Sequence, residues 1–306
     1  MLKALFERLR QGFKTGAFPP AAPNLPPEFR GRPEIDSDIT AEDVERAQSV
    51  CPVSGALSHD AEGAKLDMGR CIFCGRCAEV CGKIRFTKEY RLGVFKREDL
   101  VVKSGEHGYE PPKQTDPAAL SLKRSLQLRE VSAGGCAACE LDANVLGTLA
   151  WDMGRFGIRF VASPRHADAI YLTGPVSKNM QLALDKTFAA APDPKFLIAA
   201  GACAISGGLY EHGNLPATPA LYIPGCPPHP ATTLEALLRF TGTAISRSQA
   251  KAHEDARCPR SSVRKVPSAV SPGRIASPGS GVGPGPGPRP GSADSAPVVK
   301  IGGRLP

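Results

Sequence analysis

The run CIFCGRCAEVC sets thiols at Cys71, Cys74, Cys77 and Cys81, and a second, differently spaced set follows at Cys136, Cys139, Cys203 and Cys226. Three cysteines at successive intervals of three suit a tight loop that wraps the corners of a cubic iron–sulfur cluster. Structural zinc takes separated C-x2-4-C pairs or cysteine with histidine, which makes it the minor reading of this stretch. Disulfides fit less well still: no secretory segment precedes the cysteines, and a cytosolic thiol pool keeps such groups reduced. The chemistry expected of this chain is electron transfer.

The spacing C-x2-C-x2-C-x3-C is that of two-cluster ferredoxins, in which the fourth cysteine of each run ligates the other cluster. Cys51-Pro52 reads as the end of a partner run. Counting back from it by the same intervals reaches Ala47, Val44 and Ala41, none of which can bind iron. One [4Fe-4S] cluster is therefore expected here, on Cys51, Cys71, Cys74 and Cys77. Cys81, followed by Gly82 where the pattern has proline, is expected to be a spare buried thiol. The alternative, in which Cys81 closes the cluster locally, is disfavoured because a helix leaving Cys77 turns Cys81 away.

The second set needs a scaffold, because its members are far apart in the chain. Between residues 129 and 241 short apolar runs alternate with amphipathic ones, which predicts a parallel sheet covered by helices. The expected strands are REVS, IRFVAS from Ile158, AIYLTG from Ala169, KFLIAAG from Lys195 and ALYIPG from Ala220. Helices are expected at Leu141 to Arg155, Lys178 to Ala190 and His229 to Phe240. Sites in such sheets form beyond the carboxyl ends of the strands, where Cys136 with Cys139, then Cys203, then Cys226 fall. Gly134, Gly135, Gly201 and Gly225 stand beside them, allowing backbone N–H groups to approach a bulky cluster. A second [4Fe-4S] cluster is expected on these four thiols, although Cys203 or Cys226 taken alone reads as an ordinary buried cysteine.

At 306 residues and 42% hydrophobic content the chain can bury two modest cores. The formal net charge of +8 comes almost wholly from the segment beyond Ala244, which holds ten Lys or Arg against three Asp or Glu. The body is nearly neutral, which argues against nucleic acid as a partner. The segment SPGSGVGPGPGPRPGS is too poor in large apolar residues to order itself, so residues 244–306, Cys258 among them, are expected to be disordered and without a ligand role. At the start, Leu2, Leu5, Phe6, Leu9 and Phe13 recur at helical spacing with Lys3, Arg8, Arg10 and Lys14 between them. Such a basic amphipathic helix can dock on a membrane surface, a neighbouring subunit or its own protein. No run reaches the ~18 apolar residues of a spanning helix, so any membrane association is expected to be peripheral.

GGCAACELD, DMGRFGIRFVASPRHADAIYLTGPV, GACAISGG and YIPGCPPHP together resemble the small subunit of membrane-bound, energy-converting [NiFe]-hydrogenases of the formate hydrogenlyase type. That family is homologous to the 20-kDa cluster-bearing subunit of respiratory complex I, and the resemblance covers about residues 130 to 242. The C-x2-C of Cys136 and Cys139 is similar to the hydrogenase form, complex I having adjacent cysteines. In the first half, FRGRPEID, LDMGRCIFCGRCAEVC and YRLGVFKREDLVV resemble the ferredoxin-like subunit of the same complexes. The chain departs from both patterns: the first half lacks one cluster's cysteines, and the interval from Cys203 to Cys226 is shorter than the family's.

The resemblance implies a flavodoxin-like α/β domain over 129–243 and an α+β ferredoxin-like domain over 33–105. A docking segment (1–32), a linker (106–128) and the tail complete the organisation. It assigns Cys136, Cys139, Cys203 and Cys226 to a proximal cluster facing a large hydrogenase-like subunit, with other electron-transfer and membrane subunits as further partners, at the cytoplasmic face of the cell membrane. Glu140, Asp142, Arg165 and His166 are candidates for hydrogen bonds or proton relay near that cluster, or for ordinary solvated and capping roles. No catalytic residue is expected on this chain, which shows no nucleophile, nucleotide loop or open metal position. The alternatives are a subunit of a complex I-like quinone module, or a structural or regulatory subunit with redox-silent clusters.

Overall fold

A computed structural model describes residues 2–12, 15–19 and 21–243. All of them belong to one unit, Met1–Pro259, and the second unit, Arg260–Pro306, lies outside the described residues. The expected disordered tail and Cys258 lie outside them too.

The chain opens with helix α1 (Leu2–Gln11), on which Phe6 and Leu9 stand exposed. Strand β1 (Pro33–Ile35) precedes α2 (Ala41–Ser49), whose start is fixed by Thr40 and Asp43 in a reciprocal capping box. The hairpin β2 (Leu57–Asp60) and β3 (Gly63–Asp67) follows, then α3 (Arg76–Val80), β4 (Ile84–Phe86) and β5 (Val101–Lys103). β1 pairs antiparallel with β4, and β2, β3 and β5 form a second antiparallel sheet. This half is α+β. The positions that would have held a lost cluster are helix α2 instead, with Val44 and Ala47 buried in the core.

After α4 (Pro117–Ser121) come β6 (Leu126–Ser132), α5 (Ala138–Val145), β7 (Ile158–Phe160), β8 (Ala169–Thr173), α6 (Lys178–Ala190), β9 (Phe196–Ala200), α7 (Ala202–Ser206), β10 (Leu221–Ile223) and α8 (Pro230–Phe240). The five strands from β6 onward are all parallel, in the order β10-β9-β8-β6-β7. Read from β7, this is the flavodoxin-like order, with the switch of direction at β6. All five expected strands are present. The helix expected over Leu141 to Arg155 is instead two elements. α5 ends at Val145, Gly147 and a left-handed Asp152 (φ 44°) follow, and a 3-10 turn takes up Met153–Phe156.

Strand alternation sorts the core into two faces. Leu128, Tyr171, Ile198, Leu221 and Ile223 pack with Leu234 and Leu237 of α8. Ile170, Leu172, Leu197, Ala199 and Tyr222 point the other way, into a core shared with Leu184 of α6 and with Ile35, Leu66, Leu100 and Val102 of the first half. The N-terminal half thus covers one face of the parallel sheet. It also covers the sheet's edge: Val94 N–H donates to Tyr222 O at 3.0 Å and Tyr222 N–H to Val94 O at 2.9 Å, closing backbone groups that an open edge would leave unpaired. Among the described residues no helix is long and apolar enough to cross a membrane.

Candidate cluster sites

The first site is built by the end of α2, which delivers Cys51, and by the loop from Arg70 to α3. Asp67 anchors that loop. Its carboxylate accepts from Arg97 Nη1 and Nη2 at 2.9 and 2.6 Å and from Gly69 N–H at 2.8 Å, while its carbonyl accepts from Cys71 N–H at 3.0 Å. Phe73 (φ 54°) and Gly75 (φ 81°) then turn the chain through left-handed conformations. This curl lets Phe73 N–H donate to Cys71 Sγ at 3.3 Å.

Cys51, Cys71, Cys74 and Cys77 all line one cavity whose other walls include Leu57, Leu66, Ile72 and Phe86. Cys81 does not line it; it lies buried at the C-cap of α3. Burial pushes the Cys71 thiol up to about 12, and the neighbouring Cys77, Cys74 and Cys51 add to the rise. Cys77 is pushed up to about 11 by burial, again with Cys51 and Cys74 beside it. Bare thiolates are unstable in such a pocket, and a cationic centre among them is what would let them ionise.

The second site gathers at the carboxyl ends of β6, β9 and β10. Cys136 and Cys139 stand on either side of a left-handed Ala137 (φ 68°) at the start of α5. Cys203 lies in α7, and Cys226 in the loop between β10 and α8. The thiols are mutual neighbours. Cys139 is pushed upward by burial, then by Glu140, Cys203, Cys226 and Cys136, and Cys203 rises to about 11 by burial, with Cys226 and Cys136 next. Cys226 is raised by burial and by Cys136. Cys136 and Cys226 are exposed, whereas Cys139 and Cys203 are half-buried. At Gly201 (φ 92°) a β-carbon would stand 2.7 Å from Cys139 Sγ, so only glycine leaves the thiol its place.

Among the described residues no group of three or more His, Cys, Asp or Glu could hold a single metal ion. A zinc ion draws thiolates to about 2.3 Å from one centre, whereas a cluster is gripped by one thiolate at each iron corner and keeps its ligands farther apart. Four thiols are the donor set that a [4Fe-4S] cluster takes, and in the first set all four line one cavity.

Of the other candidates, Glu140 is placed beside the second site. Its Oε1 accepts from Ser132 Oγ at 2.5 Å and Thr173 Oγ1 at 2.6 Å. Burial would raise this carboxyl, but the two hydroxyls outweigh it and hold the group below its ordinary value. Asp142 is raised by burial and lines a groove together with Cys226 and His229. Arg165 and His166 are exposed on the turn after β7, and among the described residues neither side chain hydrogen-bonds to the cysteine loops. The sequence reading missed Thr173, Arg97 and Arg30. Thr173 could have been found as a polar residue at the inner end of a fully apolar strand.

The family model for the NADH ubiquinone oxidoreductase 20 Kd subunit matches residues 136–240. Formate hydrogenlyase subunit 7 of Escherichia coli is 42% identical over 120 residues, which is 37% of this chain and 47% of that protein. An uncharacterized protein of Methanocaldococcus jannaschii is 34% identical over 133 residues, 42% of this chain and 90% of that one. A subunit of the NADH-quinone oxidoreductase of Citrifermentans bemidjiense is 41% identical over 112 residues, 35% of this chain and 66% of that protein. The chain thus spans about half the length of the hydrogenlyase subunit and just under two thirds of the quinone-oxidoreductase subunit.

Proposed function

The chain belongs to the NADH ubiquinone oxidoreductase 20 kDa subunit family, and from that premise we propose that it is the electron-relay subunit of a multisubunit oxidoreductase of the formate hydrogenlyase type. The observation that carries this reading is the assembly of eight thiols, in two sets of four, from separate parts of the chain. When bound, [4Fe-4S] clusters supply one-electron transfer at potentials that range across proteins from about −700 to +450 mV.

The chain's own residues do the remaining work. Cys51, Cys71, Cys74 and Cys77 hold one group behind apolar walls that keep water away, and the Phe73 N–H offers a hydrogen bond to ligand sulfur. Cys136, Cys139, Cys203 and Cys226 hold the other at an open edge, where a large partner subunit bearing the active site would face it. Other electron-transfer and membrane subunits complete the complex, at the inner face of the cell membrane. Reduction of protons is the favoured endpoint. Relatives in quinone oxidoreductases support a second reading, in which the partner serves quinone.

Anaerobic purification followed by iron analysis and a redox titration read by electron paramagnetic resonance tests the relay. About eight irons and two reducible centres are expected. A redox-silent protein would leave only a structural or regulatory role. Nickel in a co-purified large subunit separates the hydrogenase reading from the quinone one.

A further inference from the structure

A groove runs between the two cysteine sites, with Ile72 and Phe73 of the first loop on one side and Pro224 and Cys226 on the other. Arg30 enters it from the arm that precedes β1. Its Nη1 donates to Phe73 O at 3.5 Å. The rest of the side chain lies against Gly75, where an added β-carbon would stand 2.5 Å from Arg30 Nε, 3.0 Å from Cζ and 3.2 Å from Cδ. Gly75 therefore supplies the left-handed turn between Cys74 and Cys77 and also the space in which a guanidinium can lie on that turn.

The charge of Arg30 is unusual in its setting. Arg70 and Arg97 both pair with Asp67, and Arg85 pairs with Glu34 and Asp36. Arg76 is exposed at the first position of α3. Glu28 lines the same groove as Arg30, yet among the described residues no ion pair engages the Arg30 guanidinium. Reduction of a bound cluster adds one negative charge, so a fixed cation at the ligand loop favours the reduced state. Water at this exposed position weakens the effect without cancelling it.

We propose that Arg30 is a positioning residue of the first site: its unpaired guanidinium, laid over Gly75 between two cysteines and bonded to the Phe73 carbonyl, fixes the loop and raises the site's reduction potential. The inference rests on reading Cys51, Cys71, Cys74 and Cys77 as cluster ligands.

The test uses the full chain, loaded anaerobically, with the midpoint of each site followed by electron paramagnetic resonance in wild type, R30Q and R30K. Loss of the charge in R30Q should shift the first site's reduction equilibrium about tenfold toward the oxidised form, equivalent to 59 mV for one electron. R30K should stay near wild type, the second site should move less, and added salt should narrow the difference between wild type and R30Q. An iron-loaded R30Q with an unmoved first midpoint, or R30K behaving as R30Q does, overturns the inference while leaving the ligand assignment standing. Absence of iron from the wild-type first site removes both. Should R30Q fail to load, R30M, which keeps the apolar stem over Gly75, replaces it. Failure of both neutral variants to hold iron would reduce Arg30 to a loop anchor and overturn the tuning role.

Discussion

The two cysteine sites solve the same problem by opposite means. The first draws its thiols from residues 51–77, within one small α+β half, and encloses them more deeply: Cys71 is 9% exposed and Cys77 7%, with Cys51 and Cys74 half-buried. The second draws on residues 136–226, uses the ends of three parallel strands, and leaves Cys136 and Cys226 open to solvent. A site made by a local motif can be walled by its own loop and the hairpin beneath it. A site made at the edge of a sheet is walled on the sheet side alone, and its outer side is left for another surface to cover. On the proposed relay reading, the enclosed site would pass charge within the chain and the open one would deliver it across an interface.

The largest effect expected is loss of whole clusters, one site at a time. Cys71→Ala should remove about four of roughly eight irons and spare the second centre, and Cys203→Ala should do the converse, as read by iron content and electron paramagnetic resonance. Cys81→Ala should keep all the iron. Loss of a centre in that variant would reassign the fourth ligand of the first site and break the contrast between a ligand that crosses from α2 and one that follows in the same loop.

A sharper probe is Gly201→Ala. The added carbon would overlap the Cys139 thiol, and φ of 92° strains any L side chain. We expect the second centre's signal to be lost or much diminished, with iron at the first site unchanged. Equal damage at both sites would mean that they fold as one body and that their separation is only geometric.

How much of this was legible in the sequence follows the same divide. The grouping of Cys51, Cys71, Cys74 and Cys77 around one cavity could be read from spacing, because a short loop carries its geometry in its intervals. That of the second set could be read only after strands had been placed, since Cys136 and Cys226 meet through strand order and not through proximity along the chain. The five strands were legible from their apolar runs, and α8 from its amphipathic pattern and the proline at its start. The break between α5 and the following 3-10 turn was not, because the apolar period continues through Leu146 and Trp151 while Asp152 adopts a left-handed turn. Nor could the sequence reveal that the first half lies on the sheet, since Leu172 and Ala199 look the same whether a helix or a second domain covers them. Arg30 sat in a motif quoted for its resemblance alone; its role depends on the groove, which tertiary packing creates.

Solvent access gives the next, smaller effect. A membrane-impermeant oxidant followed by an iron chelator should bleach the second centre several-fold faster than the first, because Cys136 and Cys226 are exposed whereas Cys71 and Cys77 are buried. Addition of the large partner subunit should slow the second rate and leave the first alone. Faster loss from the first site would contradict the enclosed-versus-open distinction directly.

The smallest effect concerns α2, the helix that ends just before Cys51 and holds it in place. Its N-terminus depends on Thr40, whose Oγ1 accepts from Asp43 N–H at 3.2 Å while Asp43 Oδ2 accepts from Thr40 N–H at 3.2 Å. The Thr40 N–H bond first, then Lys83 at 3.1 Å, hold the Asp43 carboxyl down to about 2. A carboxyl lowered in the folded state stabilises above its unfolded value near 3.9, and that contribution fades as pH falls toward 2. Thr40→Ala should lower the melting temperature by about 2–4 °C at neutral pH; because the backbone N–H of residue 40 and Lys83 survive the change, most of that gap should persist as pH falls toward 2, narrowing only by the share of the Thr40 Oγ1 bond to Asp43 Oδ2. Because α2 carries a ligand of the first site only, the same variant should release iron from that site faster and leave the second unchanged. Equal melting at neutral pH would show that core burial of Val44 and Ala47, not the cap, holds the helix that delivers Cys51.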